Sequence, residues 1–339
     1  MRALVTGATG FIGGYVIDRL VRDRCAVTAL VFPGTMNDLG HRSQVSPVVG
    51  TLDDKRALSQ ATRNIDVVYH LAGQIWGKSG SDLRAVNVAG TGNLLAACVT
   101  NGVGRFVFAS SASVYSPALR FCELPLTESA RLGPGEKSPL RDYGASKIDA
   151  EALVLQCSRN HRLEYSILRP TTVYGKVRGS ECTVQERFLS QVLETPYAKL
   201  DSEQWWVPMQ WVHVLDVAKA ILLAGTVPGA RNQIFTIAGT EVFNLSMLRS
   251  LMLELLRSGQ MPPYRLRRSA TPFGRLLFDI GKAQEVLKYR PNIGLRAGLS
   301  QMLERMQEKG KVPVVLSGGR APLGIVSPAN NEVDLITHV

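Results

Sequence analysis

The stretch "VTGATGFIGG", Val5 to Gly14, constrains the chain most, because it places glycines at 7, 10 and 13 between an apolar strand-like run and the start of a helical one. In that context the spacing has a physical meaning. Gly7 allows a tight turn, Gly10 lets the backbone approach a pyrophosphate, and Gly13 lets the helix pack closely on the strand. The helix N-terminus then offers unpaired N–H groups to an anion. The reading is a dinucleotide site lined by Gly7, Thr9, Gly10, Phe11, Ile12 and Gly13.

The first half of the chain repeats the same strand-then-helix order. "ALVTG", "AVTALVF", "DVVYHLAG" and "RFVFASS" are strand-like, and Phe11 to Arg24, "DKRALSQATR" and Asp82 to Asn101 between them are helical. The strand-like runs are almost wholly apolar, as strands buried on both faces are. Repeated βα order of this kind predicts an α/β fold, a doubly wound parallel sheet of the Rossmann type. After Ser111 a segment punctuated by Pro117, Pro125, Pro134 and Pro139 reads as a long loop, and loops of that length are usually functional. Order returns with a helix over Tyr143 to His161 and the strand "YSILRP". Residues 1–174 are read as mainly the dinucleotide domain. Residues 175–309 are read as mainly a smaller substrate lobe with segments returning to the first domain, and 310–339 as an extension.

Composition narrows the partners. The chain of 339 residues is 45% hydrophobic and 20% charged, an ordinary globular balance. Lys and Arg exceed Asp and Glu by 39 to 28, for a net charge of +11, but they are dispersed. A nucleic-acid binder clusters its basic residues with stacking aromatics, so the excess points to small phosphate-bearing molecules instead. No apolar run approaches the ~18 residues of a membrane span, and the N-terminus lacks the pattern of a secretory signal, so a cytoplasmic protein without a membrane partner is expected. Five scattered cysteines suggest neither a disulfide framework nor a metal site.

A second motif, "YGASK", puts Tyr143 and Lys147 four residues apart, on one face of a helix. An ammonium beside a tyrosine stabilises tyrosinate, which suits the tyrosine to proton transfer. Ser110 and Ser111 end the strand "RFVFASS" at the sheet edge where open α/β sheets bind ligands. A hydroxyl there can hydrogen-bond a reacting oxygen as charge develops. His70 and His213 lie in apolar strand-like runs and read as structural hydrogen-bonding residues. Trp205, Trp206 and Trp211 fit either a pocket wall or lobe packing.

"TGATGFIG", "HLAG", "NVAGT", "SSASVY", "YGASK" and "LRPTTVYG", followed by "WVHVLDVAKAI" and "DIGKAQEVLKYRPNIGLRAGL", resemble in order and spacing the extended short-chain dehydrogenases/reductases, particularly the nucleotide-sugar epimerase and dehydratase group. The resemblance covers roughly residues 1–308. It implies an NAD(P)-dependent oxidoreductase or epimerase in which Tyr143 is the acid/base, Lys147 binds the nicotinamide ribose and tunes Tyr143, and Ser111 orients the substrate oxygen. Ser111 is preferred to Ser110 because it directly precedes "ASVY". Phe32, Leu52, Leu71, Ala72, Gly73, Asn87 and Pro170 fall where such enzymes hold the cofactor. Thr172, Arg267 and Arg268 fall near substrate-binding positions. The resemblance also implies a homodimer through helices including that of Tyr143.

The chain departs from that pattern in several places. The carboxylate that NAD-preferring relatives carry after the second strand is missing from Leu30 to Gly34. Phe32 stands where relatives reading "VRPG" have an arginine suited to NADP, and His41 or Arg42 could take that part. The cofactor is therefore NAD or NADP, with a slight lean to NADP. The usual "GDL" of the third strand is "GTL" at 50–52. Thr172 replaces a common asparagine, and Met209 stands near the place of a diphosphate-binding arginine. Ala112-Ser113 replaces the Asp-Glu pair of dehydratases. A 4-epimerase or 4-ketoreductase of a nucleotide-activated sugar is expected. The alternatives are an NADP-dependent reductase or dehydrogenase of a hydrophobic alcohol or ketone, and a nonenzymatic dinucleotide sensor or scaffold.

Overall fold

The structure, a computed structural model, describes residues 1–39, 44–77, 79–116, 125–133, 140–177, 184–195, 205, 207–256 and 277–310. The elements of the main sheet are β1 (Arg2–Thr6), α1 (Phe11–Arg22), β2 (Ala26–Val31), β3 (Val45–Val49), α2 (Lys55–Ala61) and β4 (Val67–His70). They continue with α3 (Gly80–Arg84), α4 (Gly90–Thr100), β5 (Arg105–Ala109), α5 (Arg141–His161) and β6 (Glu164–Pro170). After these come β7 (Val173–Tyr174), α6 (Val184–Glu194), β8 (Val212–His213), α7 (Val214–Thr226), β9 (Gln233–Ile237), α8 (Leu245–Leu256), α9 (Gly281–Val286) and α10 (Leu295–Glu308).

Seven strands form one sheet in the order β3-β2-β1-β4-β5-β6-β9, every pair parallel. The order reverses beside β1, so the crevice between the ends of β1 and β4 is the switch point at which such sheets bind ligands. Thr6 and His70 are register partners there. This is the expected Rossmann-type architecture.

The apolar strands are sorted by the two-residue period. Ala3 and Val5 of β1, Tyr69 of β4 and Val107 of β5 face a core with Val16, Ile17 and Leu20 of α1 and Val217 and Ile221 of α7. Leu4, Val68, Phe106 and Phe108 face the opposite core with Leu58 of α2, Leu94 of α4 and Val154 of α5. Each such Val, Leu, Ile or Phe side chain, fully buried, stabilises the fold by about 1.5–3 kcal/mol. A third cluster joins Tyr174, Leu189, Val192, Trp205, Trp211, Phe243, Met252, Leu299 and Met302, and a buried Arg305–Glu186 pair ties α10 to α6 beside it.

Two local differences from the sequence reading have physical causes. β3 contains Pro47, which normally argues against a strand, but it is the outermost strand, where a missing N–H is tolerated. "GTL" at 50–52 therefore follows that strand instead of lying on it. The helix read over Asp82 to Asn101 is interrupted by a wide π turn at Ala85–Ala89, between α3 and α4. Such turns are frequent at functional sites, and this one carries the buried Asn87.

Candidate active site

The glycine turn follows β1 and is held at contact distance from the end of β4. Gly7 has φ +67°, and a Cβ there would lie 2.7 Å from Ala72 N and 2.8 Å from the Leu71 carbonyl carbon. A Cβ on Gly13 would overlap the Gly7 carbonyl oxygen, so α1 packs against the turn only because residue 13 has no side chain. Gly10 differs: a Cβ there would meet only the Gly7 carbonyl, with its oxygen at 3.1 Å, and space is open elsewhere. Gly10 caps α1 without a side-chain hydrogen bond, so the first-turn N–H groups remain for an anion. A cradle that Cβ atoms would fill, ending in a helix with no side-chain cap, fits a dinucleotide pyrophosphate. Phe11 and Ile12 begin α1, half-buried. Thr9 Oγ1 lies 3.3 Å from Thr35 Oγ1, which donates to Phe32 O at 2.9 Å. Phe32 itself is 61% exposed at the end of β2. Leu52 is buried, under the helix position of Gly90.

The floor between β1 and α4 is a chain of hydrogen bonds. Ala72 N donates to Thr6 Oγ1 at 3.2 Å, and Thr6 Oγ1 lies 2.7 Å from His70 Nδ1. His70 Nε2 lies 2.9 Å from Thr91 Oγ1, which donates to Asn87 O at 2.6 Å. From end to end, these bonds make Nδ1 the acceptor and Nε2 the donor of a neutral imidazole. Burial, with the Lys147 charge nearby, pushes His70 down to about 3, consistent with its structural reading. Asn87, buried on the π turn, accepts from Gln74 N at 2.8 Å and donates to Gln74 O at 2.8 Å and Ser146 Oγ at 2.9 Å. It thus clamps the loop after β4 to α5. A Cβ on Gly73 would lie 3.2 Å from Asn87 Oδ1 and 3.3 Å from Lys147 Nζ, so Gly73 leaves room for the lysine.

α5 brings the second motif to the same edge. Lys147 is buried, and its Nζ donates to Ala109 O at 2.8 Å while lying 4.7 Å from the Phe108 ring centroid and 5.9 Å from that of Tyr143. Burial lowers Lys147 to about 8, with Glu151 pulling it upward. Burial raises Tyr143 to about 12, and the Ser111 hydroxyl near it opposes that rise. Ser111 also caps the short turn after β5, accepting from Ser113 N at 3.1 Å. Ser111, Tyr143 and Lys147 are therefore brought together by β5 and α5. Ser110 points elsewhere, donating to Glu151 Oε1 at 2.5 Å.

The remaining residues divide. Pro170 is buried at the end of β6, and Thr172 is exposed just beyond it, its carbonyl accepting from Val212 N at 3.0 Å. Met209 is buried in the third cluster and offers no cation. Trp205 and Trp211 pack in that cluster, while Trp206, His41, Arg42, Arg267 and Arg268 lie outside the described residues. His213 Nδ1 accepts from Leu215 N at 3.3 Å and its ring meets Tyr174 edge-on at 5.3 Å, a structural placement. Sequence reasoning missed Glu151, Arg169 and Thr171. Arg169 Nε and Nη2 grip the two oxygens of Glu151 at 3.0 and 2.6 Å, both residues buried. Thr171 Oγ1 is buried with no partner among the described residues, beside Pro170. The spacing Tyr143-Lys147-Glu151, a third residue on one helical face, was the available signal for Glu151.

A parallel sheet with a glycine cradle at its switch point, and a Ser-Tyr-Lys group beside it, defines a dinucleotide-dependent enzyme of the Rossmann type. Comparison with known proteins narrows the class. The model of the "NAD dependent epimerase/dehydratase family" matches residues 3–238, and the chain belongs to that family. A UDP-glucose 4-epimerase of Vibrio cholerae is 26% identical over 320 residues, covering 88% of this chain and 93% of its own. A 4-hydroxy-2-methyl-3-oxo-4-farnesyl-3,4-dihydroquinoline-1-oxide ketoreductase of Stigmatella aurantiaca is 25% identical over 287 residues, 82% of this chain and 81% of its own. The crystal structure of UDP-glucuronic acid 4-epimerase from Bacillus cereus in complex with NAD superposes with a TM-score of 0.73 at 26% identity, covering 91% of this chain and 99% of that one. The family is NAD dependent, and the lean toward NADP finds no support in these matches.

Proposed function

We propose that the protein is an NAD-dependent 4-epimerase or 4-ketoreductase of a nucleotide-activated sugar. The observation that carries the reading is the convergence of Ser111, Tyr143 and Lys147 beside the Gly7-Gly10-Gly13 cradle, in a chain of the epimerase/dehydratase family. Bound NAD supplies the site that takes up and returns a hydride. Tyr143 removes and restores the proton of the sugar hydroxyl, while Ser111 hydrogen-bonds the same oxygen. A tyrosine held near 12 by burial keeps its proton at neutral pH, so proton removal requires positive charge nearby. The Lys147 ammonium, 5.9 Å from the Tyr143 ring centroid, would provide it and would also hold the nicotinamide ribose. Leu71, Ala72, Gly73, Asn87 and Pro170 would line the cofactor, and Thr172, with the Thr171 hydroxyl that has no partner among the described residues, would face the substrate side. The cluster around Trp211 and Leu299 forms the core of the substrate lobe. A homodimer through α5 and a cytoplasmic location complete the reading; no helix among the described residues is long and apolar enough to cross a membrane.

A second reading, reduction of a hydrophobic ketone, is favoured by Met209, buried where a diphosphate-binding arginine is expected, and by Ile75 and Trp76, which are 47% and 39% exposed in the loop just after Gly73. The Stigmatella aurantiaca ketoreductase belongs to this side of the comparison. Incubation of the purified protein and NAD with UDP-glucose, UDP-glucuronic acid and dTDP-glucose, followed by proton NMR of the sugar, separates the two. Inversion at C4 supports the first reading. No change in any of the three sugars, with NADH-dependent reduction of an apolar ketone, replaces it by the second.

A further inference from the structure

Behind the Ser-Tyr-Lys group lies a buried set of charges that the proposed reaction does not use. Tyr143, Lys147 and Glu151 follow one another at four-residue intervals along α5, so all three lie on one face of the helix. Glu151 is held from three elements: its own helix, Ser110 at the end of β5, and Arg169 on β6. Arg169 is itself fixed, donating to Glu128 O at 3.1 Å and stacking over Tyr115 with its guanidinium carbon 5.1 Å from the ring centroid. We propose that Glu151, clamped by Ser110 and Arg169, is a positioning residue that supplies the negative charge holding the Lys147 ammonium behind Tyr143.

The other candidates around Lys147 do not supply that charge. From β4 comes His70, neutral at physiological pH and so without charge of either sign. β5 contributes the Ala109 carbonyl and the Phe108 ring, both uncharged. The π turn contributes Asn87, and α5 itself contributes Tyr143, which keeps its proton. Among the described residues, Glu151 is the buried carboxylate one helical turn from Lys147 on α5, where its charge opposes the desolvation of the lysine, and Arg169 is the cation paired with that carboxylate. The signs then follow from Coulomb's law in a poorly screened interior. Removing the Glu151 charge takes away an attraction and leaves Arg169 to repel the ammonium, so Lys147 gives up its proton more readily. Removing the Arg169 charge exposes Lys147 to the full carboxylate, so it holds the proton more firmly. A residue that merely braced the fold would not move the lysine in opposite directions when either partner is neutralised.

The inference rests on the assignment of Lys147 to the active site, but its test needs neither substrate nor cofactor. The full chain, labelled with lysine carrying 13C at the ε position, is titrated by NMR, the Lys147 signal being assigned as the one missing from Lys147→Met. The expected result is a midpoint lowered by about one pH unit or more in Glu151→Gln, a tenfold or greater change in the protonation equilibrium, and a midpoint raised in Arg169→Met. A single variant leaves a buried charge unpaired and is at risk of not folding, whereas removing both charges of a buried pair is commonly tolerated. The double variant Glu151→Gln/Arg169→Met therefore guards the test: its midpoint is expected below that of the wild type, and above that of Glu151→Gln if that variant folds. A folded double variant whose Lys147 titrates like the wild type, or single variants that shift in the same direction, would overturn the proposal. Absence of sugar turnover with these shifts present would instead count against the proposed function alone.

Discussion

Replacing Gly13 with alanine is the sharpest perturbation of the cradle. The added Cβ would overlap the Gly7 carbonyl oxygen and lie 2.8 Å from the Gly7 carbonyl carbon and 3.1 Å from Ala8 Cα, all backbone atoms that no rotamer change can move aside. α1 must therefore slide away from the turn, or the turn must open. Overpacking of this kind costs about 1–3 kcal/mol, and displacement on the order of 1 Å at a site that positions reactants costs about a hundredfold in rate. Two comparisons separate the causes. Gly10→Ala has an ordinary φ of −76° and its Cβ would meet only the Gly7 carbonyl, so stability should change by less than about 1 kcal/mol while NAD binding weakens, because the new methyl occupies the approach of the pyrophosphate. Gly102→Ala sits at φ +66° with nothing within 4 Å, so it should lose about 1–2 kcal/mol of stability through backbone strain alone and leave NAD binding unchanged. Urea unfolding and calorimetric titration with NAD measure both quantities on each variant. A Gly13→Ala protein as stable as the wild type and binding NAD equally well would refute the close-packing argument. Equal NAD affinity in Gly10→Ala would refute the location of the pyrophosphate.

Three further outcomes are expected. Neutralising one side of the buried ion pair, in Glu186→Gln, should lower the unfolding free energy by up to about 3–5 kcal/mol, measured by urea denaturation, because the buried Arg305 guanidinium would lose the Glu186 carboxylate. His70 is held down to about 3 against an ordinary value of 6.5, so the unfolded chain binds the extra proton between those values. Stability is then full above pH 6.5 and falls as the pH drops toward 3, with a slope of up to about 1.4 kcal/mol per pH unit from this residue; thermal melts between pH 6.5 and 5 should show a shallower fall in His70→Gln. Phe32→Asp places a carboxylate on an exposed side chain at the end of β2, where ribose hydroxyls are bound in this type of sheet, and should raise the preference for NAD over NADP by about tenfold or more in competition binding without loss of stability.

How much of this is legible in the sequence depends on how local the cause is. Gly7, Gly10 and Gly13 can be read because a turn, a strand and a helix N-terminus are neighbours in the chain. Tyr143 and Lys147 can be read because four residues is a helical repeat. Glu151 and Arg169 meet 18 residues apart across a helix and a strand, and nothing in either neighbourhood announces the pairing. Asn87 is placed by motif, but the π turn that carries it, set against α5 between α3 and α4, is not announced by any local spacing. β3 is hidden by Pro47, whose penalty vanishes only because the strand is at the edge. Met209 stands out in the sequence as a departure, and only its place in the third cluster shows that the position faces an apolar core.

The central claim is that Tyr143 moves the proton that accompanies hydride transfer on a nucleotide sugar. Its most direct test is a stopped-flow record of reduced nicotinamide fluorescence after a saturating nucleotide sugar is mixed with the NAD-loaded protein, in the wild type and in Tyr143→Phe. A transient rise in the wild type that is slower by about a hundredfold or more in Tyr143→Phe is the predicted result. A rise at the same rate in both would contradict the claim.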